Sequence, residues 1–163
     1  MKRIAVMAAM GVALAGCGGN DVTTADADTD NDGAVSIDEA VQVAEASGMQ
    51  PQAGKYRAST KVAGVDTDVE YCITPEEAEA GFEGMMKEGQ QGDCSYEKFE
   101  LAGNDLDAVM VCKMDGGSMR MEMDGTVSPT SSDLDMKMSG NMAGMNVDMT
   151  VKSKHERIGD CDE

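Results

Sequence analysis

From Lys55 onward, apolar and polar residues alternate with a period of two, interrupted by one helical stretch. The alternation, and the turn residues between runs, predict strands at about 55–62, 67–73, 94–102, 106–113, 118–127, 133–142 and 145–157. The interruption opens with Thr74-Pro75-Glu76-Glu77: Thr74 suits an N-cap, Pro75 the first helical position, and the two acids the positive end of the helix dipole. It predicts a helix running to about Lys87 and stopping in Gly89-Gln90-Gln91-Gly92. Some seven strands in sequential order, joined by short turns, predict a mainly β fold: an antiparallel meander curling into a sandwich or open barrel, with one packed helix.

The turns also set register. A loop centred on Pro129-Thr130 places Met121 opposite Met138 and Met123 opposite Met136. A turn at Ala143-Gly144 places Met138 opposite Met149, Met136 opposite Val151 and Gly140 opposite Val147. One face of these strands is thus a grid of methionine and valine, expected to be dry. The other carries Arg120, Glu122, Asp124, Asp135, Lys137, Asp148 and Lys152 and is expected to be wet. Around Gly103, Cys94 and Cys112 are equidistant from the turn, which predicts a disulfide between them and leaves Cys72 for Cys161. Tyr96 and Phe99 differ in parity, so a bulge is expected between them.

Upstream the period changes to that of a helix. Ile37, Ala40, Val41 and Ala44 fall at i, i+3, i+4 and i+7, and Gly48 offers a C-terminal stop. Just before and into this helix runs Asp28-Thr29-Asp30-Asn31-Asp32-Gly33-Ala34-Val35-Ser36-Ile37-Asp38-Glu39, which resembles a complete 12-residue EF-hand calcium loop. The resemblance implies side-chain oxygens from Asp28, Asp30 and Asp32, a backbone carbonyl from Ala34, an oxygen or water contact from Ser36 and a bidentate carboxylate from Glu39. Ser36 and Glu39 also form a capping box for the helix. EF-hands usually come in pairs, whereas here there is one loop and an incoming helix, Val22 to Ala27, of one or two turns. Weak Ca²⁺ binding is therefore expected.

The N-terminus has a different character. Met1-Lys2-Arg3 precedes an apolar run from Ile4 to Ala15, the pattern of a signal peptide over 1–16. The run is too short for a permanent transmembrane helix, which needs about 20 apolar residues. Leu14-Ala15-Gly16-Cys17 resembles the lipobox of bacterial lipoproteins, which implies acylation of Cys17 and cleavage just before it. Gly18 is not the Asp that favours inner-membrane retention, so the periplasmic face of the outer membrane is the expected location. The division expected is a lipidated tether over 17–27, the calcium loop and helix over 28–48, a linker with Pro51 over 49–54 and a β-rich domain over 55–163.

Charge and cysteine count agree with that compartment. The net charge is -18; removing Lys2 and Arg3 leaves 11 basic against 31 acidic residues, or -20. Such a field repels phosphate backbones, so nucleic acid is not an expected partner. With Cys17 assigned to lipid, four of the 5 cysteines remain, an even number in an exported chain. They lack the paired C-x-x-C spacing of a zinc site. With no Trp, 2 Phe and 3 Tyr, the 16 methionines are expected to supply core volume. Met119-x-Met121-x-Met123 and Met136-x-Met138 also resemble the spaced thioethers with which periplasmic copper proteins hold Cu(I), which gives a metal-handling alternative. The single histidine, His155, is expected at the surface near the end of the last strand, with no catalytic constellation around it.

Four further features converge. Gly54-Lys55-Tyr56 opens the first strand of the β-domain, and Tyr71-Cys72-Ile73-Thr74-Pro75-Glu76 leads into the helix. The Cys94 to Cys112 hairpin turns on Gly103-Asn104, and Glu156-Arg157-Ile158-Gly159-Asp160-Cys161 closes the region. In these, the stretch from about Gly54 to Cys161 resembles the proteobacterial family known as domain of unknown function 3617, a resemblance that carries no activity with it. The function expected is a membrane-anchored, non-enzymatic envelope lipoprotein whose β-domain binds or scaffolds a partner of unidentified kind.

Overall fold

The computed structural model describes residues 21–81, 93–142 and 144–161. The expected signal sequence, Cys17, the expected end of the helix near Lys87 with Gly89-Gln90-Gln91-Gly92, and Ala143 lie outside them. The protein is mainly β, a nine-stranded antiparallel sheet that is not closed into a barrel. In chain order the elements are β1 (Asp21–Val22), α1 (Thr24–Ala27), β2 (Val35–Ser36), α2 (Ile37–Ala46), β3 (Gly54–Val62) and β4 (Val65–Ile73). Then come a helix α3 over 75–81, β5 (Asp93–Ala102), β6 (Asp105–Met114), β7 (Gly117–Ser128), β8 (Ser131–Met142) and β9 (Met145–Gly159).

Strands β5 to β9 form the meander, and β9 then lies against β3, so the β3–β4 hairpin completes the sheet on that side. At the opposite side β1 and β2 both pair with β5. The registers read from the turns are those found: Met121 faces Met138, Met123 faces Met136, Met138 faces Met149, Met136 faces Val151 and Gly140 faces Val147. The bulge falls between Tyr96 and Lys98, leaving Glu97 on the outer face with Arg120 as its ion partner. Tyr96 and Phe99 therefore turn to the same side, where their rings meet edge to face at 5.4 Å.

Both cysteine pairs stand at disulfide distance. Cys94 is directly opposite Cys112 with Cα atoms 4.0 Å apart, and Cys72 and Cys161 have theirs 5.8 Å apart. The second pair ties the end of β4 to the residues after β9, across the start of β3 that lies between those two strands.

The principal core forms where the N-terminal elements meet the β5–β6 end of the sheet. Tyr96, Phe99, Leu101 and Ala108 pack there with Ala27, Val35, Ala40 and Met49. The segment expected as a tether is thus folded from Asp21: Val22 packs on this core, Ala27 is fully buried, and the Thr24 hydroxyl accepts a 2.9 Å hydrogen bond from the Phe99 N–H. The linker is pinned as well. Gln52 N–H donates to the Pro129 carbonyl at 2.8 Å, the Tyr56 hydroxyl donates to the Gln52 carbonyl at 2.8 Å, and Arg157 Nε donates to the Ala53 carbonyl at 2.9 Å.

The methionine face differs from expectation. Among the described residues, α1 and α2 pack at the β5–β6 end, and Met119, Met121, Met123, Met136 and Met138 are half-buried while Met149 is 37% exposed. The outer face is charged as expected, with Lys152 Nζ 2.8 Å from the Asp135 carboxylate and Lys137 opposite Glu122.

Candidate metal centre

The acidic loop sits between α1 and α2, and its fold follows from short side chains that bond their own backbone. Asp28 accepts from the N–H groups of Asp32 at 3.2 Å and Gly33 at 3.0 Å; Asp30 accepts from Asp32 N–H at 3.0 Å, and Asp32 from Ala34 N–H at 2.9 Å. These bonds wind the chain tightly enough that Asn31 and Gly33 take positive φ, 60° and 93°. Gly33 is at the position where such a turn demands a residue without Cβ. As a result one carboxylate oxygen from each of Asp28, Asp30 and Asp32 lies within 4.8 Å of the others. Three anionic oxygens so close repel one another, and a cation among them relieves that repulsion.

Glu39 lies outside this group of three carboxylates, although its Oε1 accepts from the Asp30 N–H at 3.4 Å. It is 8% exposed and faces the protein, where Oε1 accepts from Thr29 N–H at 2.7 Å and the Thr29 hydroxyl at 2.6 Å. Oε2 accepts from Ser36 N–H at 2.8 Å and the Ser36 hydroxyl at 2.9 Å, while Ser36 Oγ accepts from Glu39 N–H at 3.3 Å. The expected capping box is therefore present. In this arrangement Glu39 closes the loop by joining its two ends, and it enters a metal shell only by exchanging the Thr29 and Ser36 bonds. Ala34 is half-buried and Ser36 exposed, flanking Val35, which is fully buried in the core. The set is all hard oxygen, which suits Ca²⁺.

Hydrogen bonds led by the Thr29 hydroxyl, followed by the Ser36 N–H, Ser36 hydroxyl and Thr29 N–H, lower the Glu39 carboxyl from 4.5 to about 2. A folded-state value below the unfolded one stabilises the protein above the unfolded value, and that contribution is lost as pH falls from 4.5 towards 2. In calcium-free buffer, the urea midpoint of the wild type is expected to fall through that window, and Glu39→Gln to flatten this part of the profile. A variant profile that keeps the same slope would contradict this role for Glu39.

Thr29 is the loop residue whose part was not foreseen, because ligand spacing says nothing of the positions between ligands. His155 is another. It is half-buried on the inner face rather than at the surface, its Nδ1 2.8 Å from the Tyr71 hydroxyl and its Nε2 2.9 Å from Ser153 Oγ. The contact arises because β3 separates β4 from β9 and presents the small Ala58 opposite His155, so that Tyr71 reaches across. Burial lowers the His155 pKa, which favours the neutral ring. Ser153 is 8% exposed within a strand paired on both sides, so the backbone N–H groups that an oxyanion would need are taken up in the ladder.

No curated protein and no solved structure matches the chain. A family model does match, from Met49 to Cys161, which takes in the buried Met49 and every strand from β3 to β9 and leaves the calcium-type loop just outside. With the match spanning well over half of its 163 residues, the chain belongs to the family of proteins of unknown function DUF3617.

Proposed function

We propose that this is a lipid-anchored, non-enzymatic protein of the bacterial cell envelope that takes one Ca²⁺ in the Asp28–Glu39 loop and uses its β-domain to bind or scaffold a partner. The observation that carries the calcium reading is the convergence of Asp28, Asp30 and Asp32 within 4.8 Å around the turn at Gly33. The Ala34 carbonyl and Ser36 complete the expected shell, and Glu39 joins it when it leaves its cap.

The partner that a second EF-hand would supply is replaced here by β5. Val35 pairs with Tyr96 and Ser36 with Ser95, which holds the loop's C-terminal half against the sheet. That support lowers the ordering cost of binding, but moving Glu39 out of its cap opposes it. Together they favour an affinity in the weak, extracellular class, with Kd on the order of 10⁻⁴ to 10⁻³ M. Calorimetric titration of the protein should give one site in that range, lost in Asp30→Asn/Asp32→Asn; a flat titration to several millimolar calcium would remove calcium from the proposal.

The lipid anchor rests on the signal sequence and on Cys17. Only three residues separate Cys17 from β1, so the sheet end carrying Asp21 and Ala102 would stand within about 15 Å of the acylated cysteine at about 3.5 Å per residue. Expressed in its host, the protein should partition into detergent, and Cys17→Ser should leave it uncleaved. An intact mass showing an unmodified Cys17 in the mature chain would end this reading.

A further inference from the structure

We propose that Met121, Met123, Met136 and Met138 form a binding site for a soft monovalent cation, Cu(I), on the inner face of the sheet. This site shares no residue with the acidic loop and stands or falls independently of it.

The register makes the arrangement. Met121 is directly opposite Met138 and Met123 directly opposite Met136, so the four side chains form a two-by-two block on neighbouring strands. Cβ atoms of opposed residues are about 4.5–5.5 Å apart, and successive same-face residues on one strand are about 7 Å apart. Each methionine carries its sulfur on a flexible unbranched arm, so four thioethers can turn towards one point above the centre of the block. The row continues with Met110 opposite Met121 and Met149 opposite Met138, which places further sulfur on either side.

Among the described residues, core packing does not bury these side chains. Among the described residues the only buried methionine is Met49, and all four of the block are half-buried. The core is centred on Tyr96, Phe99 and Leu101; Met123 touches its margin, and Met121, Met136 and Met138 do not belong to it. The sheet beneath is held in register on both sides, while the arms above it keep partial access to solvent. Thioether sulfur is neutral, soft and polarizable, so it prefers Cu(I) to the hard cations that the carboxylate loop suits. The net charge of -18 raises the local concentration of any cation.

Ag(I) serves as a probe of the same charge and softness that needs no reductant. Full-length protein in detergent, with its disulfides oxidised and its methionine methyls ¹³C-labelled, would be titrated with silver nitrate and followed by NMR. Saturation at one ion per chain is expected, with the largest methyl shifts at Met121, Met123, Met136 and Met138, assigned by single Met→Leu variants. Met121→Leu/Met138→Leu, a volume-conserving change that cores tolerate, should weaken binding at least about tenfold, and the exposed Met145→Leu should not. Unchanged affinity in the double variant would overturn the proposal. So would wild-type shifts centred on methionines outside the block, a result that does not depend on the variant folding.

Discussion

Leu101→Ala is expected to destabilise the protein by about 2–5 kcal/mol, seen as a lower urea midpoint at unchanged slope. Leu101 is 2% exposed, lies opposite Val22 of β1 and Leu106 of β6, and belongs to the cluster that joins the N-terminal elements to the sheet. Truncation removes transfer free energy and leaves a cavity whose walls belong to paired strands and can collapse only in part. The effect should reach the acidic loop, because Val35 and Ala27, which flank it, share the same cluster. A loss below about 0.5 kcal/mol, the size typical of a surface substitution, would mean that β1 and α1 do not seal this core.

Gly125→Ala should cost a similar amount for a different reason. Gly125 has φ of 150°, and an added Cβ would stand 2.0 Å from the Asp133 carbonyl oxygen on the neighbouring strand. Strain in the left-handed region contributes about 1–2 kcal/mol and overpacking about 1–3 kcal/mol, so about 2–5 kcal/mol is expected. The obstructing atom is backbone, within a register that runs unbroken from Gly117 to Ser128, so it can move only by shifting the pair. Gly33→Ala is the useful contrast, because its Cβ would meet nothing within 4 Å and only the strain of φ 93° remains. Equal stability of Gly125→Ala and wild type would contradict the β7–β8 geometry.

Much of the sheet was legible because strand periodicity and turn position are both local. Turns at Pro129-Thr130 and Ala143-Gly144 suffice to give Met121 opposite Met138, Met123 opposite Met136 and Met138 opposite Met149, together with the alternation of charge on the outer face. The change of parity between Tyr96 and Phe99 likewise marked the bulge. What could not be read was non-local. β1 and β2 are two residues each, too short to show a period, and their pairing with β5 spans some 60 to 80 residues of chain. Without that pairing, Val22 to Ala27 reads as tether and 28–48 as an appendage, whereas Ala27, Val35 and Ala40 lie in one core with Phe99. The alternation predicts a dry methionine face because an apolar face needs a cover; among the described residues, α1 and α2 are seated at the β5–β6 end instead. His155 was misplaced for the same reason, since its neighbour Tyr71 reaches it only across β3.

The acidic loop shows the same division. Ligand spacing picked out Asp28, Asp30 and Asp32, which do converge, and the capping box picked out the bond between Ser36 and Glu39. Spacing could not reveal that Glu39 is also held by Thr29. That bond makes Glu39 the residue on which cap and metal would compete. Calcium binding should therefore be felt along a definite route, from Glu39 to Ser36 and on to Ser95 and Tyr96 of β5.

The most direct test is a calcium titration of the ¹⁵N-labelled protein followed by amide NMR. Shifts are expected at 28–39 and, smaller, at Ser95, Tyr96 and Phe99, with β3 and β4 unmoved; Glu39→Gln should keep a response at Asp28 to Asp32 while losing the one at β5. An unchanged spectrum up to several millimolar calcium, or shifts scattered over the charged outer face with none in the loop, would contradict the account.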